Sequence, residues 1–313
     1  MLARTANNLF WLARYMERAD YVARLLQVAG HMNAVRVDAD RNSEWESAII
    51  ASGCGDEYFA KHEQADEASV IAFLTFDRDN PSSIINCIET ARRNARAVRT
   101  ALTADIWEAV NGAWQELAVH REAVRDADRL VEFLDWVKAR VGLFHGVCSN
   151  TMLRLDGFRF IRIGQFLERA DNTARLLDVK YHVRLPQVSD VGGVVDYYQW
   201  LAILRVVGAR RAYRVLFKGQ VETRHIAELL IVHGEFPRSL AFCFQQITQE
   251  LDAIESQNPK RTAEAKRQAH SLFAHIRFAR VDRVIESGLH EYLTDLIERT
   301  DELGQQIATG HLF

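Results

Sequence analysis

Two segments that lie 151 residues apart in the chain are nearly identical. Residues 17–28 read ERADYVARLLQV and residues 168–179 read ERADNTARLLDV, so nine of the twelve positions agree. The match continues, at offsets of 155 and 156, in Trp45 and Trp200, Gly53 and Gly208, Leu74 and Leu229, and Pro81 and Pro237. A repeat of this length is typical of a duplicated structural unit, and shared leucines alone do not place charged residues in register. The sequence therefore predicts two helical repeats, 1–150 and 151–313, merged into one compact domain.

Each copy also carries an apolar stripe whose members are three and four residues apart. The stripe consists of Leu9, Leu12, Met16, Ala19, Ala23 and Leu26 in the first copy, and of Phe160, Ile163, Leu167, Ala170, Ala174 and Leu177 in the second. This spacing places the side chains on one face of a helix. Only four prolines occur among 313 residues, which favours long helices, including continuous ones near 44–62, 196–217 and 281–308. The sequence therefore predicts an all-α helical bundle made of two pseudo-symmetric repeated halves.

A polar stripe runs beside the apolar stripe of each copy. Because each residue turns an ideal helix by about 100°, Glu17, Asp20, Arg24 and His31 share a narrow face that we expect to be half-buried. Within the helix, Arg24 can pair with Asp20 at i+4 and Arg14 can reach Glu17 at i+3. The candidate polar cleft of the two copies comprises Arg14, Glu17, Arg18, Asp20, Arg24, His31, Glu168, Arg169, Asp171, Arg175 and His182.

Three interpretations of this polar cleft stay open at the level of sequence. The charges can form a salt-bridge network that holds two related helices in register, or line a cleft that binds a substrate or partner. Crowded carboxylates can also raise each other's pKa, so that Glu17 or Glu168 acts as a general base in an enzyme, with or without metal. Di-iron bundles use Glu-x-x-His on one helix, whereas Asp stands third after each Glu here and arginines oppose a cation. We therefore predict no metal and no cofactor.

Composition narrows the possible partners and the compartment. A formal net charge of −3 argues against a nucleic acid or an anionic membrane held by bulk charge. The four cysteines are widely separated and are expected to be reduced, buried thiols. No signal-peptide pattern and no long apolar run occurs, so we expect a cytoplasmic protein. No nucleophile elbow, P-loop, zinc-protease or dinucleotide-binding motif is present, and the sequence leans away from an enzyme.

Three segments of the chain resemble the bacterial alpha-E domain, a domain of unknown function. The opening MLARTANNLFWLARYMERADYVARLL resembles its start, the segment from Thr151 to His182 resembles it more closely, and EFPRSLAFC at 235–243 matches as well. The resemblance extends over essentially the whole chain. Gln165 departs from the pattern, which has arginine after Gly164.

The resemblance implies partners that the residues alone do not. Alpha-E domains occur beside, or fused to, circularly permuted ATP-grasp ligases, often together with transglutaminase-like proteins. ATP-grasp ligases join a carboxylate to an amine through an acyl phosphate, and this sequence shows no ATP site of its own. We therefore expect an accessory or scaffold protein of an amide or peptide ligase system, which binds the ligase or its peptide substrate. The alternative is the carboxylate-based enzyme described above.

Overall fold

Most of the chain that the structure describes is helical, and the helices are joined by turns and loops. The computed structural model describes residues 2–35, 43–120, 127–182, 194–254 and 259–311. The α-helices are α1 (Ala3–Val35), α2 (Ser43–Ser52), α3 (Gly55–Phe59), α4 (Glu67–Thr75), α5 (Ile84–Ala97), α6 (Ala104–His120), α7 (Ala127–Thr151), α8 (Asp156–His182), α9 (Val194–Val206), α10 (Arg210–Leu216), α11 (Thr223–Ala227), α12 (Leu240–Ala253), α13 (Pro259–Arg277), α14 (Val281–Ser287) and α15 (Leu289–His311). A 3₁₀ turn at Arg99–Ala101 and a π turn at Glu228–Val232 complete them, and no strand occurs in these ranges. The all-α class is confirmed, and no described helix is long and apolar enough to cross a membrane.

Helices α1 and α8 lie at the centre of the molecule and pack along each other. The predicted apolar stripes of both helices are buried, with every member at most 3% exposed. Buried residues also lie outside the stripes, as at Phe10 and Val22 of α1 and Phe166 of α8. A helix that is apolar around most of its circumference is a core helix, which explains why these two are enclosed by the others.

Other helices pack on both members of the central pair. Helices α5 and α7 pack on α1, and α12 and α15 pack on α8. Contacts also cross between the two groups, because α9 packs on α1 and α2 packs on α8. Helix α7 ends at Thr151 and α8 begins at Asp156, close to the predicted boundary between 1–150 and 151–313. The division into two repeats at that boundary stays a prediction.

A glycine sets how closely the two central helices approach. Gly164 of α8 lies against the carbonyl group of Phe10 in α1, so that a Cβ at this position would overlap the carbonyl oxygen. Any larger residue forces the two backbones apart. The charged side chains that follow one turn later on both helices are therefore held face to face.

Three helices that the periodicity predicts to be continuous are interrupted, each at a glycine. The breaks fall at Gly53 (φ 73°), Gly208 (φ 74°) and Gly288 (φ 111°). A positive φ is incompatible with a right-handed helix and is readily adopted only by glycine. The predicted helices over 44–62, 196–217 and 281–308 are thus each two helices, because an isolated glycine interrupts a helix without disturbing the apolar periodicity around it.

The π turn coincides with a shift in the sequence register. The offset between the copies is 155 at Leu74 and Leu229 but 156 at Pro81 and Pro237, so the second copy contains one additional residue between them. The π turn at Glu228–Val232 lies at this place. A π turn accommodates one residue more than an α turn. The segment after it then begins α12 with the same serine cap that begins α5.

Candidate functional site

Glu17 of α1 and Glu168 of α8 each pair with the arginine that follows the other glutamate. Nε of Arg18 lies 2.6 Å from Oε1 of Glu168. In the opposite direction the guanidinium group of Arg169 donates to both carboxylate oxygens of Glu17, with Nε 3.3 Å from Oε2. Both glutamates are at most 2% exposed. The two Glu-Arg dipeptides therefore exchange partners across the α1–α8 interface, more deeply buried than the half-buried stripe that we expected.

Glu168 has a second arginine, and it is not the partner that helical spacing predicts. Nε of Arg14 lies 2.6 Å from Oε2 of Glu168, and the guanidinium stacks over the ring of Trp11 at 4.7 Å. The predicted i+3 pair between Arg14 and Glu17 is therefore wrong. Glu17 is turned into the interface, where Arg169 occupies its oxygens, so Arg14 reaches across to α8 instead.

Glu17 and Asp20 of α1 contact a larger set of basic side chains. Asp20 accepts from Nε of Arg24 at 2.7 Å, as the i+4 spacing predicts, and from Nη2 of Arg238 at 2.8 Å. Nε2 of His145, from α7, lies 2.8 Å from Oε1 of Glu17, although its angles do not make a full hydrogen bond. This cluster is therefore assembled from α1, α7, α8 and the segment before α12.

Sequence reasoning missed His145 and Arg238 as members of this cluster. His145 has no pattern that distinguishes it from a structural histidine. Arg238 lies in the EFPRSLAFC segment that carries the family resemblance, which was a usable signal. The structure holds that segment against α8, because Thr173 donates its hydroxyl to the carbonyl of Arg238 at 2.9 Å and Arg169 donates to the carbonyl of Pro237 at 3.4 Å.

The arginines keep the buried carboxylates ionised. Burial by itself raises the pKa of Glu168, but Arg18 and Arg14 outweigh it and lower the pKa to about 2. Burial also opposes ionisation of Glu17, yet Arg169 and His145 hold its pKa well below the usual value. The expectation that crowded glutamates raise each other's pKa is therefore wrong, since arginines separate them.

Burial and neighbouring charges also have opposing effects on the pKa values of Asp20 and His145, which lie beside Glu17. Burial raises the pKa of Asp20, but Arg238 and Arg24 lower it further than burial raises it. Burial lowers the pKa of His145, and the contact with Glu17 only partly compensates. At neutral pH the cluster therefore combines ionised carboxylates with a histidine that favours its neutral form.

The remaining candidate residues lie outside these two buried clusters. Asp171 pairs with Arg175 at 2.8 Å along α8, and both side chains are partly exposed. His31 is half-buried, and its pKa is lowered by burial and by the nearby charges of Arg205 and Lys138. The predicted shared face therefore does not bring His31 into the network. The side chain of His182 lies outside the described residues.

The cysteine thiols are buried, and the described residues include no group suited to a metal ion. All four cysteines are free and buried, as predicted, and burial raises the pKa of the Cys87, Cys148 and Cys243 thiols to about 12. A thiol with such a pKa is a poor nucleophile at neutral pH. No three His, Cys, Asp or Glu side chains among the described residues are grouped so that they could hold a metal ion.

Comparison with known proteins identifies relatives of this chain. It is 26% identical over 268 residues to uncharacterised proteins of Mycobacterium bovis and Mycobacterium tuberculosis, which covers 79% of this chain and 29% of each relative. The chain thus spans less than a third of the length of these curated relatives. No solved structure matches it. The family model Alpha-E, described as a predicted alpha-helical domain with a conserved ER motif, matches residues 1–312. The dipeptides Glu17-Arg18 and Glu168-Arg169 are ER sequences, and they form the buried exchange of ion pairs between α1 and α8. Because the family model matches nearly the whole chain, the chain belongs to the Alpha-E family.

Proposed function

We propose that the chain is a duplicated helical unit whose halves are joined by the reciprocal Glu–Arg exchange. Residues at corresponding positions of the two sequence copies support this proposal. Glu17 and Glu168 make equivalent cross-helix pairs, and Gly53 and Gly208 have the same backbone conformation. A pseudo-twofold axis between α1 and α8 would generate both correspondences.

We further propose that the protein is a non-catalytic accessory or scaffold protein of an ATP-grasp amide or peptide ligase system. The non-catalytic part of this proposal rests on the burial, ionisation and arginine pairing of the two glutamates. Glu17 and Glu168 are buried, ionised and occupied by arginines, so neither resembles a general base, which needs a pKa near the working pH. The carboxylate-enzyme alternative loses its physical rationale for the same reason.

The length of the relatives supports a role alongside other protein segments. In the mycobacterial proteins, the matching region is 29% of a longer chain, so a domain of this kind operates there beside additional sequence. The family resemblance suggests an ATP-grasp ligase as the partner here, with a transglutaminase-like protein as a further component. Because Glu17, Asp20 and Glu168 are buried, such a partner would contact other, exposed side chains, and the charged network would act by holding the docking surface in shape.

Co-purification with a circularly permuted ATP-grasp ligase from the same organism tests the proposal. We expect the two proteins to elute together on size exclusion, and the ligase to release ADP faster when this protein is present. An unrelated ATP-grasp enzyme is the control for non-specific association. If the two proteins neither associate nor change the rate of ADP release, the accessory function is wrong.

A variant of the network separates a structural role from a contact role. Glu168→Gln alters the buried network without changing the exposed surface. We expect it to reduce complex formation only in proportion to the fraction of protein that unfolds. A variant that is fully folded, keeps wild-type NMR amide shifts away from position 168 and yet no longer binds the ligase would show that the glutamate itself contacts the partner, contrary to our proposal.

A further inference from the structure

A cavity lies between α13, α14 and α15, far along the chain from the buried network. Its volume is about 620 Å³, within the range of roughly 300–1,000 Å³ that small-molecule sites occupy. The aromatic rings of Phe278, Tyr292 and His275 form part of its wall. His275 and Tyr292 stack at 5.5 Å between ring centroids, so two aromatic rings lie together in this part of the wall.

Phe278 is unusually exposed for an aromatic residue in a folded chain. It is 78% exposed, at the end of α13 and beside the cavity. Val284 and Ala279 add further apolar surface to the same wall. An apolar wall that water covers in the free protein gains free energy when an apolar ligand displaces that water.

Two arginines at the cavity form no side-chain pair within the part of the chain that the structure describes. Arg280 and Arg283 both line it, and no side-chain hydrogen bond or ion pair joins either one to another described residue. Asp282, which lies between them in sequence, is already paired with Arg224. Glu291 is the carboxylate among the lining residues, and it is folded back over Gly288, where it fills the space that a Cβ would take.

We propose that this cavity is a binding site for a small organic anion with a flat apolar body. The aromatic rings and aliphatic side chains would contact the body of the ligand. Arg280 and Arg283 would pair with its carboxylate, sulfonate or phosphate group, because guanidinium groups bind such oxygens in a bidentate manner. The site is separate from the Glu–Arg network and does not depend on the proposed ligase partner.

Titration with anilinonaphthalene sulfonate, a flat aromatic anion that becomes fluorescent in apolar surroundings, tests the proposal. We expect saturable binding of one equivalent. The double variant Arg280→Gln, Arg283→Gln should weaken binding at least fivefold, and raising the salt concentration should weaken wild-type binding as well. Phe278→Ser should weaken binding about tenfold, which corresponds to about 1.4 kcal/mol.

Matched controls distinguish this site from general surface binding. Leu153 is also 78% exposed but lies in the turn before α8, so Leu153→Ser should leave the affinity unchanged. The uncharged analogue N-phenylnaphthylamine should respond to Phe278→Ser but not to the double arginine variant. All of these positions are exposed, so the variants are expected to fold.

Three results would overturn the proposal. The first is the absence of saturable one-to-one binding by the wild-type protein. The second is an affinity for the sulfonate that the arginine and phenylalanine variants leave unchanged. The third is an equal loss of affinity in Leu153→Ser, which would mean that the probe binds exposed apolar residues in general.

Discussion

Replacing Glu168 by glutamine removes the charge that two arginines share in the centre of the molecule. The structure holds the pKa of Glu168 at about 2, against a usual value of 4.5. At 1.36 kcal/mol for each pKa unit, this lowering of about 2.5 corresponds to on the order of 3 kcal/mol of stabilisation. Glu168 is 2% exposed and its partners Arg14 and Arg18 are 13% and 23% exposed, so solvent screens the pair only weakly. We therefore expect Glu168→Gln to lower the free energy of unfolding by about 3 kcal/mol at pH 7.

The loss of stability caused by Glu168→Gln should become smaller as the pH falls. Because the pKa of Glu168 is lower in the folded than in the unfolded chain, its stabilisation is complete above about pH 5 and disappears as the pH falls towards 2. At pH 3 the difference between wild type and Glu168→Gln should shrink to about 1.5 kcal/mol. Other acidic groups titrate equally in both proteins, so they cancel from the difference.

Urea unfolding followed by circular dichroism measures this difference at both pH values. Glu298→Gln, at an exposed position of α15, is the control and should change stability by less than about 0.5 kcal/mol. This prediction is wrong if Glu168→Gln unfolds at the same urea concentration as Glu298→Gln at pH 7. It also fails if the loss is the same at pH 3 as at pH 7, because the charge would then not be its cause.

Three further perturbations follow from the same geometry. Gly164→Ala should lower the free energy of unfolding in urea by about 1–3 kcal/mol, because it forces a Cβ against the facing helix. The control Gly142→Ala, where the structure leaves open space in a helix, should be neutral or stabilising by up to about 1 kcal/mol. Equal effects of the two substitutions would contradict the close approach of α1 and α8. Asp20→Asn should cost about 2–3 kcal/mol because two arginines lose their partner, while Asp171→Asn, the corresponding position with one partly exposed partner, should cost less than about 1 kcal/mol. NMR of histidine-labelled protein should show the imidazole of His145 titrating with a pKa below the usual 6.5. Because the folded protein favours the neutral imidazole, the wild type should lose stability as the pH falls below 6.5. A titration midpoint at or above 6.5 would contradict burial of His145 in the neutral form.

Features that depend on spacing within one helix could be predicted from the sequence. The apolar stripes of α1 and α8 are buried as their periodicity predicts, and the Asp20–Arg24 pair forms at i+4. Both follow from the fixed rotation of about 100° per residue, which needs no knowledge of the rest of the chain. The Glu-Arg-Ala-Asp repeat and the family resemblance are likewise properties of the sequence, and the family model matches residues 1–312.

Features that depend on how two helices are placed against each other were decided by the tertiary structure. Which arginine pairs with Glu17 and Glu168 depends on the translation and rotation of α8 relative to α1, and the contact of Gly164 with the Phe10 carbonyl limits both. That placement separates the glutamates by arginines and so lowers their pKa values. A spacing rule for one helix holds no information about a neighbour that is 151 residues away, because the position of that neighbour results from the packing of the whole core.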